Sequence, residues 1–390
     1  MRTKKTKEFP RILAPIIFAQ AILGVRVVLR LLCSAGGERI STGEARVTGE
    51  ERISVIVPVL NEYKRLSSCM EGLIAQGSEV AEILVVDGGS DDDTQQLACT
   101  YAARDPRVRL EDASPIPLNV NGKAWGLQVG LRSAYPGSQW ILIVDADVRP
   151  GAFLARALLG RAIGAQLSAL SIATLQEIDS IGEGLLHPSL LTTLVYRFGI
   201  PGKAFRQVSK VQANGQCFLF RRDALEACGG FVKAYHSVCE DVTVARTLVA
   251  AGHPVGFYEA GDLVSVKMYT DWRDAWRNWP RSLPMHDQYS SINTWLGWLE
   301  VALVQALPLP LFLLLVLVHA RRSWSITLNG VLAAMRIGML FGTARAYRRR
   351  SWSYWLSPFC DLPVAIKLGK CALQRKYVWR GYVLVRGGSK

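Results

Sequence analysis

The chain has 390 residues, half of them hydrophobic, a formal net charge of +14 and a mean hydropathy of +0.17. So high an apolar fraction excludes a disordered chain, and so low a hydropathy excludes a many-span transporter. One domain of roughly 200–250 residues carrying a few apolar segments averages to such values.

Residues 1–9 are basic, with Arg2, Lys4, Lys5 and Lys7. Pro10 to Cys33 is long enough to cross a bilayer, although Pro15, Arg26 and Arg30 interrupt it. No small-residue cleavage site follows the apolar run cleanly, so residues 1–34 are expected to be an uncleaved anchor, spanning or interfacial. Residues 35–52 are polar and read as a linker.

From residue 53 the pattern becomes α/β. Ile53–Val59, Glu82–Asp87 and Trp140–Asp145 are short apolar runs rich in β-branched residues. Between them lie helix-length stretches, Leu66–Gln76, Thr94–Arg104 and Ala124–Ala134. This alternation predicts a parallel sheet with right-handed crossovers. Ligands of such sheets sit at the carboxyl ends of the strands, so Asn61, Glu62, Asp87, Asp145 and Asp147 are expected along one edge. Residues 180–207 are amphipathic and read either as a core helix or as a helix on a membrane surface.

Beyond residue 290 the composition shifts again. Trp295–Val318 and Trp324–Gly342 are apolar enough to span. Ser353–Ala372 contains Asp361, Pro363, Lys367 and Lys370 and reads as an interfacial or re-entrant helix. Nine of the eleven tryptophans lie at or after Trp272, as anchors at bilayer boundaries do. Arg345, Arg348, Arg349 and Arg350 follow the second span and place the α/β domain on the cytoplasmic side, with Arg321 and Arg322 in the short outer loop opposing that orientation. The basic residues cluster beside apolar segments, so an anionic membrane is the expected partner and nucleic acid is not. The eight cysteines contain no C-x-x-C pair, which argues for free thiols and against a zinc site.

Four constellations carry chemistry. Asp145-Ala146-Asp147 at a strand end puts two carboxylates within reach of one divalent cation, or is a pair of solvated acids. Asp87-Gly88-Gly89-Ser90-Asp91-Asp92 is a βα turn whose first acid can accept from a base or ribose, or simply organise the turn. Glu240-Asp241 opens a helix, where a carboxylate is either a general base aimed into a cleft or an N-terminal cap. Trp272, Trp276 and Trp279 share one helical face at i, i+4 and i+7, for lipid, an apolar acceptor or the core, while Arg273, Arg277 and Arg281 share another suited to phosphate.

In order, Pro58-x-x-Asn61-Glu62, the Asp87 to Asp92 turn, Gly122-Lys123, Asp145-x-Asp147, Gly229-Gly230-Phe231 and Glu240-Asp241 resemble the inverting family 2 glycosyltransferases with the GT-A fold, over about residues 53–285. The resemblance implies an α/β fold, a mostly parallel sheet flanked by helices, at 53–288. A C-terminal membrane region would follow at 289–390, with spans near 295–318 and 324–343 and an interfacial helix near 353–373. It implies that Pro58, Asn61, Glu62, Asp87, Asp92, Lys123, Asp145 and Arg281 bind a nucleotide-sugar. Asp145 and Asp147 would hold Mg²⁺ or Mn²⁺. Asp241 would be the general base with Glu240 beside it, and Trp272, Trp276 and Trp279 would meet the acceptor or the membrane. Two departures are Gly88, where members often carry a second acid, and Asn278 and Ser282, where processive and ceramide-type members carry Q-x-x-R-W or R-x-x-R-W. The stretches NGKAWGL, ANGQCFLFRRDAL, CEDVTVAR and W-x-x-W-x-R-S-L followed by His286 and Asp287 are most similar to carotenoid (myxol-type) 2'-O-glycosyltransferases, and hopanoid-associated enzymes share many of them.

The expected activity is therefore sugar transfer to a hydroxyl of an apolar acceptor, a carotenoid first. Another lipid (hopanoid, sphingolipid or polyprenyl phosphate) is the alternative acceptor. A non-catalytic membrane-associated binding protein is the rival of another class. A dinucleotide oxidoreductase is disfavoured, because no G-x-G-x-x-G follows the first strand.

Overall fold

The computed structural model describes residues 5–41, 51–269, 271–283, 290–318, 324–379 and 382–385. The chain opens with helix α1 (Lys5–Ser34) and continues through β1 (Ile53–Val59), α2 (Tyr63–Ile74), β2 (Val80–Asp87), α3 (Thr94–Arg104), β3 (Val108–Asp112), α4 (Gly122–Ser133) and β4 (Trp140–Val144). Next come β5 (Val148–Pro150), α5 (Leu154–Gly164), β6 (Ala169–Ala173), β7 (Leu175–Glu177), α6 (Ile181–Phe198), β8 (Lys203–Phe205), β9 (Cys217–Arg221), α7 (Arg222–Ala227) and α8 (Glu240–Ala250). The last part holds β10 (Val255–Glu259), β11 (Val264–Val266), α9 (Trp272–Ser282), α10 (Ser291–Glu300), α11 (Pro308–Leu317), α12 (Trp324–Thr343), β12 (Tyr347–Arg349), α13 (Asp361–Leu373), β13 (Lys376–Trp379) and β14 (Tyr382–Val385).

The three apolar runs form the centre of an eight-stranded sheet of order β3-β2-β1-β4-β9-β6-β10-β8. β1 pairs in parallel with β2 and β4, while β9 runs antiparallel between β4 and β6. Alternation of side chains divides the core between the two faces. Val55, Val57 and Val59 meet α2, α3 and α5, whereas Ile56 packs with α4, α7 and α8. The register sets Val59 beside Asp87 and Asp87 beside Asp112, so the carboxyl ends of β1, β2 and β3 stand level along one edge. The half-exposed β3 and the three-residue strands carry too little periodicity to be read in advance.

A second sheet, β12-β7-β11-β5, sits beside this edge. Its strand β12 comes from the arginine run after α12, with Tyr347 opposite Gln176. Arg345 pairs with Glu259 at 2.9 Å. The C-terminal region thus supplies a strand to this second sheet, and Arg345 and Arg348 reach carboxylates of the α/β part, Glu259 and Glu177.

Residues 181–198 are a core helix. A Ser180–Glu183 capping box starts α6, and Gly199 at φ 92° ends it. Leu186, Leu190 and Val195 are buried on it. Among the described residues, two helices are long and apolar enough to cross a membrane, Ala14–Ser34 and Trp324–Ala346. Ser291–Ala306 and Pro308–Leu317 make a third only if a pair bent by 40° counts as one. The expected span near 295–318 is thus broken, where a π-helical turn at Val301–Ala306 meets Pro308. The awkward Arg26 and Arg30 of α1 both reach the buried Glu300 of α10, at 2.6 and 2.7 Å.

The expected interfacial helix is two pieces, a 3₁₀ helix at Trp352–Cys360 and then α13. Its polarity is inverted. Ser353, Ser357 and Asp361 are buried, while Trp352, Trp355, Phe359, Ile366 and Leu373 are exposed. Asp361 takes two bonds from Arg336 of α12, at 2.7 and 3.0 Å, and others from Ser189 and Gln305. Both members of this ion pair are 1 % exposed. Breaking one partner of a buried pair costs about 3–5 kcal/mol, because the other charge is left uncompensated. Asp361→Leu should accordingly lower the thermal midpoint sharply, and the double change Arg336→Leu with Asp361→Leu should recover most of the loss. Thermal unfolding in detergent measures both, and simple additivity would contradict the pairing.

Candidate active site

A cavity of about 860 Å³ opens at the carboxyl ends of the central strands. Its polar end is organised around Lys123. Asn121 caps α4 by accepting from the Ala124 amide at 3.1 Å, which fixes Lys123 in the first turn. The Lys123 ammonium donates to both oxygens of Asp145 (2.7 and 2.8 Å), to Glu240 at 2.9 Å and to the Gly215 carbonyl at 3.1 Å. Burial alone would lower the lysine's pKa, but Asp145 and Glu240 outweigh it and hold the ammonium charged.

Gly215 is there because of space. A Cβ on it would lie 3.0 Å from Lys123 Nζ and 3.1 Å from Glu240 Oε1 and Asp241 Cβ. Its amide donates to Asp241 Oδ2 at 2.7 Å, and the Val242 amide donates to Oδ1 at 2.7 Å. Burial, then the neighbouring Glu240 charge, pushes the Asp241 carboxyl up to about 7, with Lys123 opposing. Asp147 is pushed up to about 7 chiefly by burial, then by Asp145. Its Oδ1 is buried without a hydrogen-bond partner. An unpaired, buried carboxylate oxygen next to a second carboxylate is what a hard divalent cation satisfies. Among the described residues no cluster of three or more protein ligands exists, so such a cation would take its remaining ligands from water or diphosphate.

The structure brings Pro58, Glu62, Lys123, Asp145, Asp147, Glu240, Asp241 and Trp279 to the cavity wall. Three expected nucleotide contacts are not on that wall. Asp87 is 1 % exposed and accepts from the Gly89 and Ser90 amides at 3.0 Å, from the Ser90 hydroxyl and from Gln95 at 2.6 Å. Asp92 accepts from the Thr94 and Tyr63 amides, and Asn61 accepts from the Asp91 amide. These three hold the loops between β1 and α2 and between β2 and α3 in shape. Arg281 lies in the last turn of α9, with its side chain outside the described residues, as are His286 and Asp287. The tryptophan face of α9 divides. Trp272 is exposed, Trp276 lies 5.5 Å below the Lys367 ammonium, and Trp279 stacks 4.2 Å from His187.

Several further residues line the cavity. Arg65 pairs with Glu62 at 2.7 Å, an i,i+3 spacing that was legible. Thr174, Gln176 and Gln216 form a buried hydrogen-bonded chain with Asn214. His187 had no signal beyond being one imidazole in an apolar helix. Apolar side chains also line the cavity: Leu191, Leu194 and Val195 of α6, Met268, Trp279 of α9 and Met339 of α12, with Asp274 and Asn278 of α9 among them.

Residues 54–229 match the family model described as Glycosyl transferase family 2. That match covers under half of the chain. The fold is that of the mannosyltransferase PcManGT from Pyrobaculum calidifontis, solved in complex with GDP-Man and Mn²⁺: TM-score 0.53, 17 % identity, over 92 % of this chain and 99 % of that one. The expected GT-A architecture is thereby shown. Glycosyltransferase GlyG of Streptococcus pneumoniae is 34 % identical over 97 residues, 25 % of this chain and 30 % of that protein. The succinoglycan biosynthesis protein ExoA of Rhizobium meliloti is 24 % identical over 214 residues, 54 % of this chain and 62 % of that protein. The chain thus spans less than two thirds of the length of these curated relatives.

A carboxyl raised from 3.8 to about 7 is protonated in the folded state where the unfolded chain is already ionised. The penalty for ionising Asp147 is therefore absent below pH 4, grows as pH rises and is complete above 7. Asp147→Asn should raise the thermal midpoint of metal-free protein at pH 8 by at least about 2 °C, the scale of 1 kcal/mol in a domain this size, and by clearly less at pH 5. The same change should abolish stabilisation by Mn²⁺. Equal effects at both pH values in a calorimetric scan would contradict the assignment.

Proposed function

We propose that the chain is a membrane-associated inverting glycosyltransferase that moves a sugar from a nucleotide-sugar to a hydroxyl of an apolar acceptor. One observation carries this reading. A single cavity is lined both by the carboxylates around Lys123 and by apolar side chains of α6, α9 and α12. The GDP-Man and Mn²⁺ bound by the structurally similar mannosyltransferase support a nucleotide-sugar donor and a divalent cation. The apolar wall supports a hydrocarbon-bodied acceptor, and the motif resemblance favours a carotenoid, with a hopanoid alcohol fitting the same wall.

Asp241 takes the proton of the acceptor hydroxyl as its oxygen attacks the anomeric carbon. The Gly215 and Val242 amides aim that carboxylate, and a pKa near 7 suits a base at neutral pH. Lys123 holds Glu240 beside it and keeps Asp145 at the strand end. Asp147 and Asp145 would hold Mg²⁺ or Mn²⁺, which would neutralise charge on a diphosphate leaving group. One displacement inverts the anomeric configuration.

Membrane association rests on the two long apolar helices and on the outward-facing Trp352, Trp355 and Phe359. With Lys367 and Lys370 nearby, an anionic surface on the cytoplasmic side is the proposed location.

Asp241→Asn should leave nucleotide-sugar binding by calorimetry unchanged and lower turnover about 10²–10⁴-fold, the usual worth of a general base. Turnover near that of the unaltered protein would remove Asp241 from this role.

A further inference from the structure

The charge of the cavity bears on what accepts the sugar. Asp145, Asp147, Glu240 and Asp241 are joined on its described wall by Glu62, Glu259 and Asp274. Against these seven carboxylates stand four cations, Arg39, Arg65, Lys123 and Arg345. Each of the four is already in an ion pair: Arg39 and Arg345 with Glu259 at 2.9 Å, Arg65 with Glu62 at 2.7 Å and Lys123 with Asp145 at 2.7 Å. One divalent cation and the diphosphate it accompanies add no net positive charge. A second phosphate, on the acceptor, would enter a site with an excess of carboxylates.

Among the described residues, the lining also includes an imidazole nitrogen without a hydrogen-bond partner. His187 is 3 % exposed, in the middle of α6, and lines the cavity. Its Nδ1 lies 2.9 Å from the Tyr347 hydroxyl, and its ring is fixed between Trp279 and Tyr347, with centroids 4.2 and 5.4 Å away. Its Nε2 is buried without a partner. Burial drives the imidazole's pKa down to about 3, so it is neutral at working pH. A neutral imidazole offers a hydrogen bond and no charge. It suits a hydroxyl and does little for a phosphate.

We propose that the acceptor is a neutral alcohol with an extended apolar body, not a lipid phosphate, and that His187 Nε2 hydrogen-bonds its polar end while Trp279 packs on the adjoining hydrocarbon. This rests on the transferase reading and narrows it. His187 is a positioning and specificity residue, and Tyr347, from the C-terminal strand β12, sets its ring orientation.

The test uses the full chain in detergent or lipid nanodiscs, saturated with Mn²⁺, and a matched pair of probes, farnesol and farnesyl phosphate. Affinity is read from quenching of tryptophan fluorescence. Farnesol should bind about tenfold or more tightly than its phosphate. His187→Phe should weaken farnesol about fivefold or more, as loss of one hydrogen bond does, and His187→Gln should restore part of it. Neither change should alter the affinity for GDP-mannose or UDP-glucose. Equal or tighter binding of the phosphate, no farnesol binding at all, or a His187→Phe protein that binds farnesol as before would overturn the proposal. Failure of both nucleotide-sugars to bind would instead strike the transferase reading, so the two are told apart.

Discussion

The architecture of the site depends on one buried ammonium. Lys123 sits where three separate pieces of chain converge: the end of β4 through Asp145, the approach to β9 through the Gly215 carbonyl, and the start of α8 through Glu240. Each carboxylate alone would be costly to bury, and together they repel. The lysine makes their juxtaposition tolerable and leaves Asp147 and Asp241, which it does not contact directly, as carboxyls raised to about 7. Structure and chemistry meet there. The groups that Lys123 satisfies form the scaffold, and the two it leaves destabilised are those best suited to taking a cation and a proton.

A second dependence links this site to the apolar helices. The C-terminal region is joined to the α/β domain by β12, by Arg345 on Glu259 and by the Tyr347–His187 bond. Its helices in turn are held by polar contacts placed inside apolar surroundings, Arg336–Asp361 and Arg26 and Arg30 on Glu300. The segment from Trp352 to Leu373 turns its serines and aspartate inward and its aromatic and aliphatic residues outward. That arrangement is the reverse of a water-facing element and matches one immersed in hydrocarbon. The apolar wall of the cavity is made by the same helices, so the surface that would meet lipid and the pocket that would receive a lipid-like acceptor are parts of one structure.

Much of the fold was legible because β1, β2 and β4 are short apolar runs rich in β-branched residues, and their length, with helical stretches between them, favours buried parallel strands. The strand-end position of Asp145 and Asp147 and the helix-start position of Glu240 and Asp241 followed from the same pattern. What escaped depends on long-range contact. The small sheet is built of three-residue strands from four distant stretches, none with a period of its own. Whether Asp87 points to a ligand or to its own turn is decided by the Gly89 and Ser90 amides and by Gln95, which a motif does not reveal. His187 matters only because Tyr347, 160 residues away in the chain, occupies its other nitrogen.

Whether Lys123 joins β4 to α8 electrostatically is read by a double-mutant cycle on Lys123→Met and Glu240→Gln followed by thermal unfolding. Lys123→Met alone should be severe, about 3–5 kcal/mol, because it strands buried carboxylates. Adding Glu240→Gln should recover at least about 1 kcal/mol of that, the coupling expected of residues in direct contact. A cycle that closes additively, or a Lys123→Met protein as stable as the unaltered chain, would contradict the account.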